Sequence, residues 1–132
     1  MIETRVPAAT VNNLVAYAFA ADLDRTAAFY AHLGFAVVST FPEKAPPTWM
    51  EVRSGKARLF FEQASEPIDD GKQRVLFYAY TKDIAALRER LISAGIEVSP
   101  IDHPAHMPAG QMRCTDPDGY AVLVGQLRAT RV

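Results

Sequence analysis

The stretch DHPAHMP, residues 102–108, sets His103 and His106 three residues apart beside Asp102. On a helix that spacing would aim two imidazoles at one divalent ion. Two prolines oppose a helix, so the segment reads as a loop at the surface or at the rim of a pocket. From a rim, a histidine could hydrogen-bond the polar tail of a bound molecule. Glu51, Arg53, Arg58 and Glu62 fall on two runs that read as one hairpin, where they can pair across strands. Glu51 and Glu62 are the candidates for an acid or base entering a cavity. The single cysteine, Cys114, lies in a strand-like run with no adjacent base, and reads as a buried thiol rather than a nucleophile. His32 ends an amphipathic run, where it suits the carbonyls of a helix C-terminus. No Ser-His-Asp spacing, glycine-rich phosphate loop, paired carboxylates or CxxC pair occurs.

These residues need a scaffold, and 132 residues are enough for one compact domain with a sizeable core. Hydrophobic content of 49% and charged content of 22% are those of a globular chain. Fourteen basic against fifteen acidic residues, with no basic stripe, argue against nucleic acid or a membrane surface as partner. A lone cysteine makes no intramolecular disulfide, which fits a cytoplasmic home. The run LVAYAFA at 14–20 carries small-x-small triplets, but it is short and lacks a basic flank. It reads as a strand, and no stretch approaches transmembrane length.

The chain repeats itself. VAYAFAADLDRTAAFYAHLGFAVV from Val15 and LFYAYTKDIAALRERLISAGIEVS from Leu76 align at an offset of 61, with Tyr17 on Tyr78, Asp22 on Asp83 and Gly34 on Gly95. Each copy predicts a strand, an Asp N-cap, a three-turn helix, a Gly that ends it, and a second strand, at 35–40 and 96–99. Leu23, Ala27, Tyr30 and Leu33 in one copy, and Ile84, Leu87, Leu91 and Ala94 in the other, fall at helical spacing. A hairpin follows in each half. The first joins 48–54 to 56–62 through Ser54-Gly55, and the second joins 110–115 to 120–127 through Asp116-Pro117-Asp118-Gly119, a type I turn sequence. Aligning the two turn glycines sets Leu59 opposite Leu123. The linkers are too short to separate independent domains. The expectation is an α+β fold of one domain, 1–132, with module one at about 11–63 and module two at about 73–127, each β-α-β-β-β.

With these motifs in order, the chain resembles the vicinal-oxygen-chelate superfamily: glyoxalase I, extradiol dioxygenases, and fosfomycin- and bleomycin-resistance proteins. The residues that carry the resemblance are ADLDRTAAFYAHLGF at 21–35, DIAALRERLISAGI at 83–96 and TDPDGY at 115–120. It implies two tandem modules whose mixed sheets curl around a cup, in many relatives holding a divalent metal. The metal-ligand positions carry over onto Val15, Leu59, Leu76 and Leu123. Aliphatic side chains offer no N, O or S donor, so the reading is metal-free, with no cofactor.

If Val15 faces the cup, alternation sends Tyr17 and Phe19 the same way, and Leu76, Tyr78 and Tyr80 in the second copy. Leu59, Phe61, Leu123, Trp49 and Met112 complete the expected lining. Such a wall suits a planar or extended apolar ligand, with phenolic hydroxyls to orient a polar edge. The expected function is sequestration of an apolar or aromatic molecule, as in the bleomycin-resistance type, by a homodimer. The alternative is a lyase or oxygenase with an unorthodox metal site involving His103, His106 and Glu62, or with metal-free acid–base chemistry. A third class is an interaction module whose cup is filled by its own side chains and whose outer face is apolar.

Overall fold

The computed structural model describes residues 2–5, 13–73 and 75–128. The start of module one at residues 11 and 12 lies outside them. Each half begins as its sequence predicts. Strand β1 (Ala16–Ala20) leads into helix α1 (Leu23–His32), and β5 (Leu76–Thr81) into α2 (Ile84–Ser93). Asp22 caps α1 by accepting from the Asp24 and Arg25 amides, and Asp83 caps α2 by accepting from Ala86. Gly34 and Gly95 follow the helices at φ of +96° and +79°, the left-handed conformation that stops a helix cheaply only at glycine.

The first half continues through β2 (Ala36–Phe41), β3 (Trp49–Ser54) and β4 (Ala57–Gln63) into a four-stranded sheet of order β1-β4-β3-β2. Only β1 and β4 run parallel. The second half has β6 (Gln111–Thr115) and β7 (Ala121–Gln126) in a three-stranded sheet of order β5-β7-β6, with β5 and β7 parallel. The strand predicted at 96–99 is reduced to an edge segment held to β6 by isolated bridges at Val98 and Asp102. Pro100 between them has no N–H to donate, and this interrupts the ladder.

A pair of glutamines repeats the symmetry of the halves. Gln63, at the end of β4, accepts from the Leu23 amide and donates to the Ala21 carbonyl. Gln126, at the end of β7, accepts from Ile84 and donates to the Lys82 carbonyl at 2.7 Å. Each satisfies an orphan donor at a helix start and a carbonyl of the strand–helix turn.

The halves meet at the turn 116–119. Both its carboxylates are buried, with Asp116 4% and Asp118 3% exposed. Asp118 accepts from the Ala21 amide just before α1 and from Arg25 and the Thr26 hydroxyl in its first turn. Asp116 accepts from the Tyr30 hydroxyl at 2.9 Å and from the amides of Asp118 and Tyr120. Burial pushes the Asp116 carboxyl above its ordinary range, and these hydrogen bonds oppose that shift. Behind the turn, Tyr30 and Phe61 of the first half join Met112, Val122 and Val124 of the second in one buried cluster. Arg90 of α2 also donates to the His32 carbonyl, filling at the end of α1 the role anticipated for the His32 ring.

Replacing Asp118 by Ala strands three donors at a buried seam. The expected loss in urea unfolding is about 2–4 kcal/mol, against less than about 0.5 for exposed Glu66→Ala. Tyr30 gives a pH signature. Burial, then the neighbouring Asp116 carboxylate, holds its phenol protonated far above the usual value of 10.0. Its contribution is complete below the unfolded tyrosine pKa and is lost as pH rises above it, at about 1.4 kcal/mol per pH unit. Stability should therefore decline from about pH 10 upward, and Tyr30→Phe should flatten that part of the profile.

Candidate ligand-binding site

Helices cover one face of each sheet, and the strand registers say which side chains occupy the other. In the first sheet, Tyr17 lies beside Phe60 and Phe19 beside Glu62, while Trp49 opposes Glu62, Glu51 opposes Phe60 and Arg53 opposes Arg58. Residues paired in this way project to the same face. The open face therefore holds Tyr17, Phe19, Trp49, Glu51, Arg53, Arg58, Phe60 and Glu62. Phe60 is its centre, with edge-to-face contacts to Tyr17 and Trp49 at centroid distances of 6.2 and 5.1 Å. Tyr17 also meets Phe19 at 6.2 Å. Tyr17 and Phe19 remain half exposed.

Leu59, Phe61 and Met112 do not belong to this surface. Leu59 and Phe61 point to the helix side, where Phe61 packs on Tyr30 at 5.1 Å, and Met112 is buried with Val124. The expected assignment slipped by one residue because the two hairpin turns differ in length. The first turns over Gly55 and Lys56, the second over residues 116–120, so aligning turn glycines offsets the strands. The parallel registers give the true equivalence: Tyr17 neighbours Phe60 as Tyr78 neighbours Leu123. Aligning Gln63 with Gln126 would have found it. The metal-ligand set carried over from the resemblance thus becomes Val15, Phe60, Leu76 and Leu123. These side chains do not fit a divalent ion. Among the described residues, no three His, Cys, Asp or Glu side chains gather as ligands.

On the second sheet Leu76, Tyr78 and Tyr80 share the open face with Ala121, Leu123 and Gly125. The tyrosine rings stand 5.2 Å apart, and Leu76 and Tyr80 are about half exposed, at 48% and 58%. The loop 103–110 folds over part of this face. Met107 reaches Gly125 so closely that an added Cβ would come within 2.9 Å of its Cε. Tyr78 donates to Gln111 Oε1 at 2.6 Å, and His106 Nε2 lies 2.9 Å from the same oxygen, which fits the tautomer protonated there. His103 Nδ1 faces the Pro108 carbonyl at 2.9 Å. The histidines thus brace a rim loop and do not converge with Glu62.

The polar groups of the first face form two sets. Glu62 accepts from the Tyr17 hydroxyl, which with burial raises the phenol pKa. Glu51 accepts on one oxygen from Arg58 Nε at 2.7 Å and Arg53 Nε at 2.6 Å, and the two guanidiniums hold its carboxyl below the usual range. Arg58 also lies over the Phe60 ring at 5.3 Å. A recess of about 540 Å³ opens among Tyr17, Phe41, Thr48, Trp49 and Glu62. A larger one, about 860 Å³, lies between the two helices and the β6 edge and includes Phe29, Arg88, Ile92 and Cys114. It lacks the aromatic cluster of the sheet face.

The sequence matches the family model described as the Glyoxalase/Bleomycin resistance protein/Dioxygenase superfamily over residues 11–124. The chain belongs to this superfamily. Solved structures of similar fold include a bleomycin resistance determinant encoded on transposon Tn5, at TM-score 0.74 and 21% identity, covering 90% of this chain and 100% of that one. A bleomycin-binding protein complexed with bleomycin matches at TM-score 0.69 and 22% identity, over 89% of this chain and 100% of its own. TnmS3, an antibiotic-binding protein from a Streptomyces species, matches at 0.71 and 21%, over 91% and 100%. No curated protein matches the chain. The α+β architecture of paired mixed sheets is the superfamily's fold, and among the described residues no helix is long and apolar enough to cross a membrane.

Cys114 illustrates how this fold treats a reactive group. Burial, then the nearby Asp116 carboxylate, pushes its thiol up to about 11. At pH 8 the thiolate fraction is on the order of a thousandth. Iodoacetamide should add no mass to the folded protein within an hour and one carbamidomethyl group in 8 M urea, read by intact-mass spectrometry. Rapid labelling of the folded chain would contradict the placement.

Proposed function

We propose that this protein binds a small, largely aromatic molecule on its open sheet faces and sequesters it without making or breaking a bond. The observation that carries the reading is the cluster Tyr17, Phe19, Trp49 and Phe60, whose rings the fold leaves together on a face that no helix covers. Stacking on such rings supplies affinity to any planar apolar body, and the Tyr17 hydroxyl and Glu62 can orient a polar edge. Neither set of open-face donors matches a metal, so binding is metal-free in this reading.

The working unit is a homodimer within one-domain chains. Each face is half a wall: the recess at Tyr17 and Trp49 is lined by the first half alone, and Leu76 and Tyr80 stand exposed on the second. The first sheet of one copy facing the second sheet of another would enclose a ligand between them.

Titration with N-phenyl-1-naphthylamine, an uncharged aromatic probe that brightens in apolar surroundings, tests this directly. Saturable binding near one probe per chain is expected, with quenching of Trp49, the only tryptophan. Phe60→Ser should weaken binding roughly tenfold while leaving the thermal midpoint within a few degrees. A dimeric mass by light scattering accompanies this outcome. Absence of saturable binding, or indifference to Phe60→Ser, would overturn the reading.

A further inference from the structure

The first open face differs in polarity from one end to the other. At its hairpin end, Glu51 faces two guanidiniums, a local excess of one positive charge. Both arginines reach Glu51 through Nε. That leaves the Nη edges, the fork that clasps carboxylates and phosphates bidentately, directed away from the shared carboxylate. Glu51 is almost covered, whereas the Arg58 and Arg53 side chains are 27% and 49% exposed, so an incoming group meets guanidinium rather than carboxylate. Arg58 lies over the Phe60 ring at 5.3 Å, a cation–π contact at the hairpin end of the face. The other carboxylate of the face, Glu62, lies four residues along β4, about 13 Å from Arg58 at the rise of an extended strand. It is occupied by the Tyr17 hydroxyl. Between the two ends run Phe60, Tyr17 and Trp49.

We propose that the ligand is an aromatic anion, its carboxylate, sulfonate or phosphate group seated on the free edges of Arg53 and Arg58 and its ring laid on Phe60. This deepens the reading of the face as a ligand site and rests on it. Glu51 is a positioning residue: it holds both guanidiniums in place by their Nε and tempers their charge. A neutral aromatic would leave the two guanidiniums sharing the single carboxylate of Glu51, with one positive charge uncompensated, and an aromatic cation would be repelled at this end.

The test compares 8-anilino-1-naphthalenesulfonate with its uncharged counterpart N-phenyl-1-naphthylamine, by probe emission at low salt. The native protein should bind the sulfonate about tenfold or more tightly, and this preference should shrink as sodium chloride is raised. Arg58→Met and Arg53→Met should each remove most of the preference, and an unchanged far-UV circular dichroism spectrum shows that each variant is folded. Glu51→Gln, leaving two guanidiniums unneutralised, should strengthen sulfonate binding several-fold. Equal affinity of the native protein for both probes overturns the proposal, and so does a preference that survives both arginine substitutions. Because the native comparison needs no variant, misfolding cannot rescue the idea. If neither probe binds, the small-molecule reading falls first and this one with it; if only the amine binds, that reading stands and the anion is wrong.

Discussion

Two buried carboxylates hold the halves of this protein together. Asp116 and Asp118 sit in a tight turn of the second half, yet four of their donors, Ala21 and the α1 residues Arg25, Thr26 and Tyr30, belong to the first. A buried carboxylate is tolerated only when its lone pairs are satisfied, and here amides, hydroxyls and Arg25 satisfy them. The contact fixes where the second sheet stands relative to the first helix. Gly119 completes it: at φ +89°, with the Asp70 carbonyl directly against its Cα, no side chain could be accommodated. The linker is drawn into the same seam by Gln73, which donates to the Asp118 carbonyl. Within the first half, Tyr30 also packs against Phe61 and Phe35.

The functional consequence is a division of labour between sheet faces. Helices and the seam consume one side of each sheet, so the apolar residues there are committed to stability. The opposite sides carry rings that no helix covers, of which Tyr17, Phe19 and Tyr80 stay about half exposed. A Tyr or Phe left half exposed is ordinary singly, but a contiguous set on one face marks a surface meant to be covered. The same face carries a charge pair arranged so that the anion is inside and the cations outside. That arrangement differs from simple solubilising charge, which would sit at strand edges with both signs in water.

Chain repetition was legible because its determinants are local. The Asp caps, the terminating glycines and the helical spacing of apolar residues each act within a few residues, and both helices and seven of the eight predicted strands formed where the sequence placed them, 96–99 being the exception. Tyr17, Phe19, Trp49, Leu76, Tyr78, Tyr80 and Leu123 lie on the open sheet faces, where alternation along each strand from one anchored residue also puts them. Leu59 and Phe61 lie on the opposite face: turn alignment anchors β4 one residue out of register, and a one-residue slip exchanges the two faces of a strand entirely. Met112, whose strand has no such anchor, lies on the buried face with Cys114.

What the sequence alone determined is the set of elements and the duplicated plan, both consequences of residue type and near-neighbour spacing. Three things came only from the tertiary structure. The turn 115–120 became a buried seam, since its partners lie about ninety residues away in α1. Phe60, Arg58 and Glu62, rather than Leu59 and Phe61, became the exposed face of β4, since strand register is set by pairing with β1 and β3. The pairing of Glu51 with both arginines depends on that same register. Each is a matter of long-range geometry, and spacing along the chain signals only the β4 register, through the match of Gln63 to Gln126.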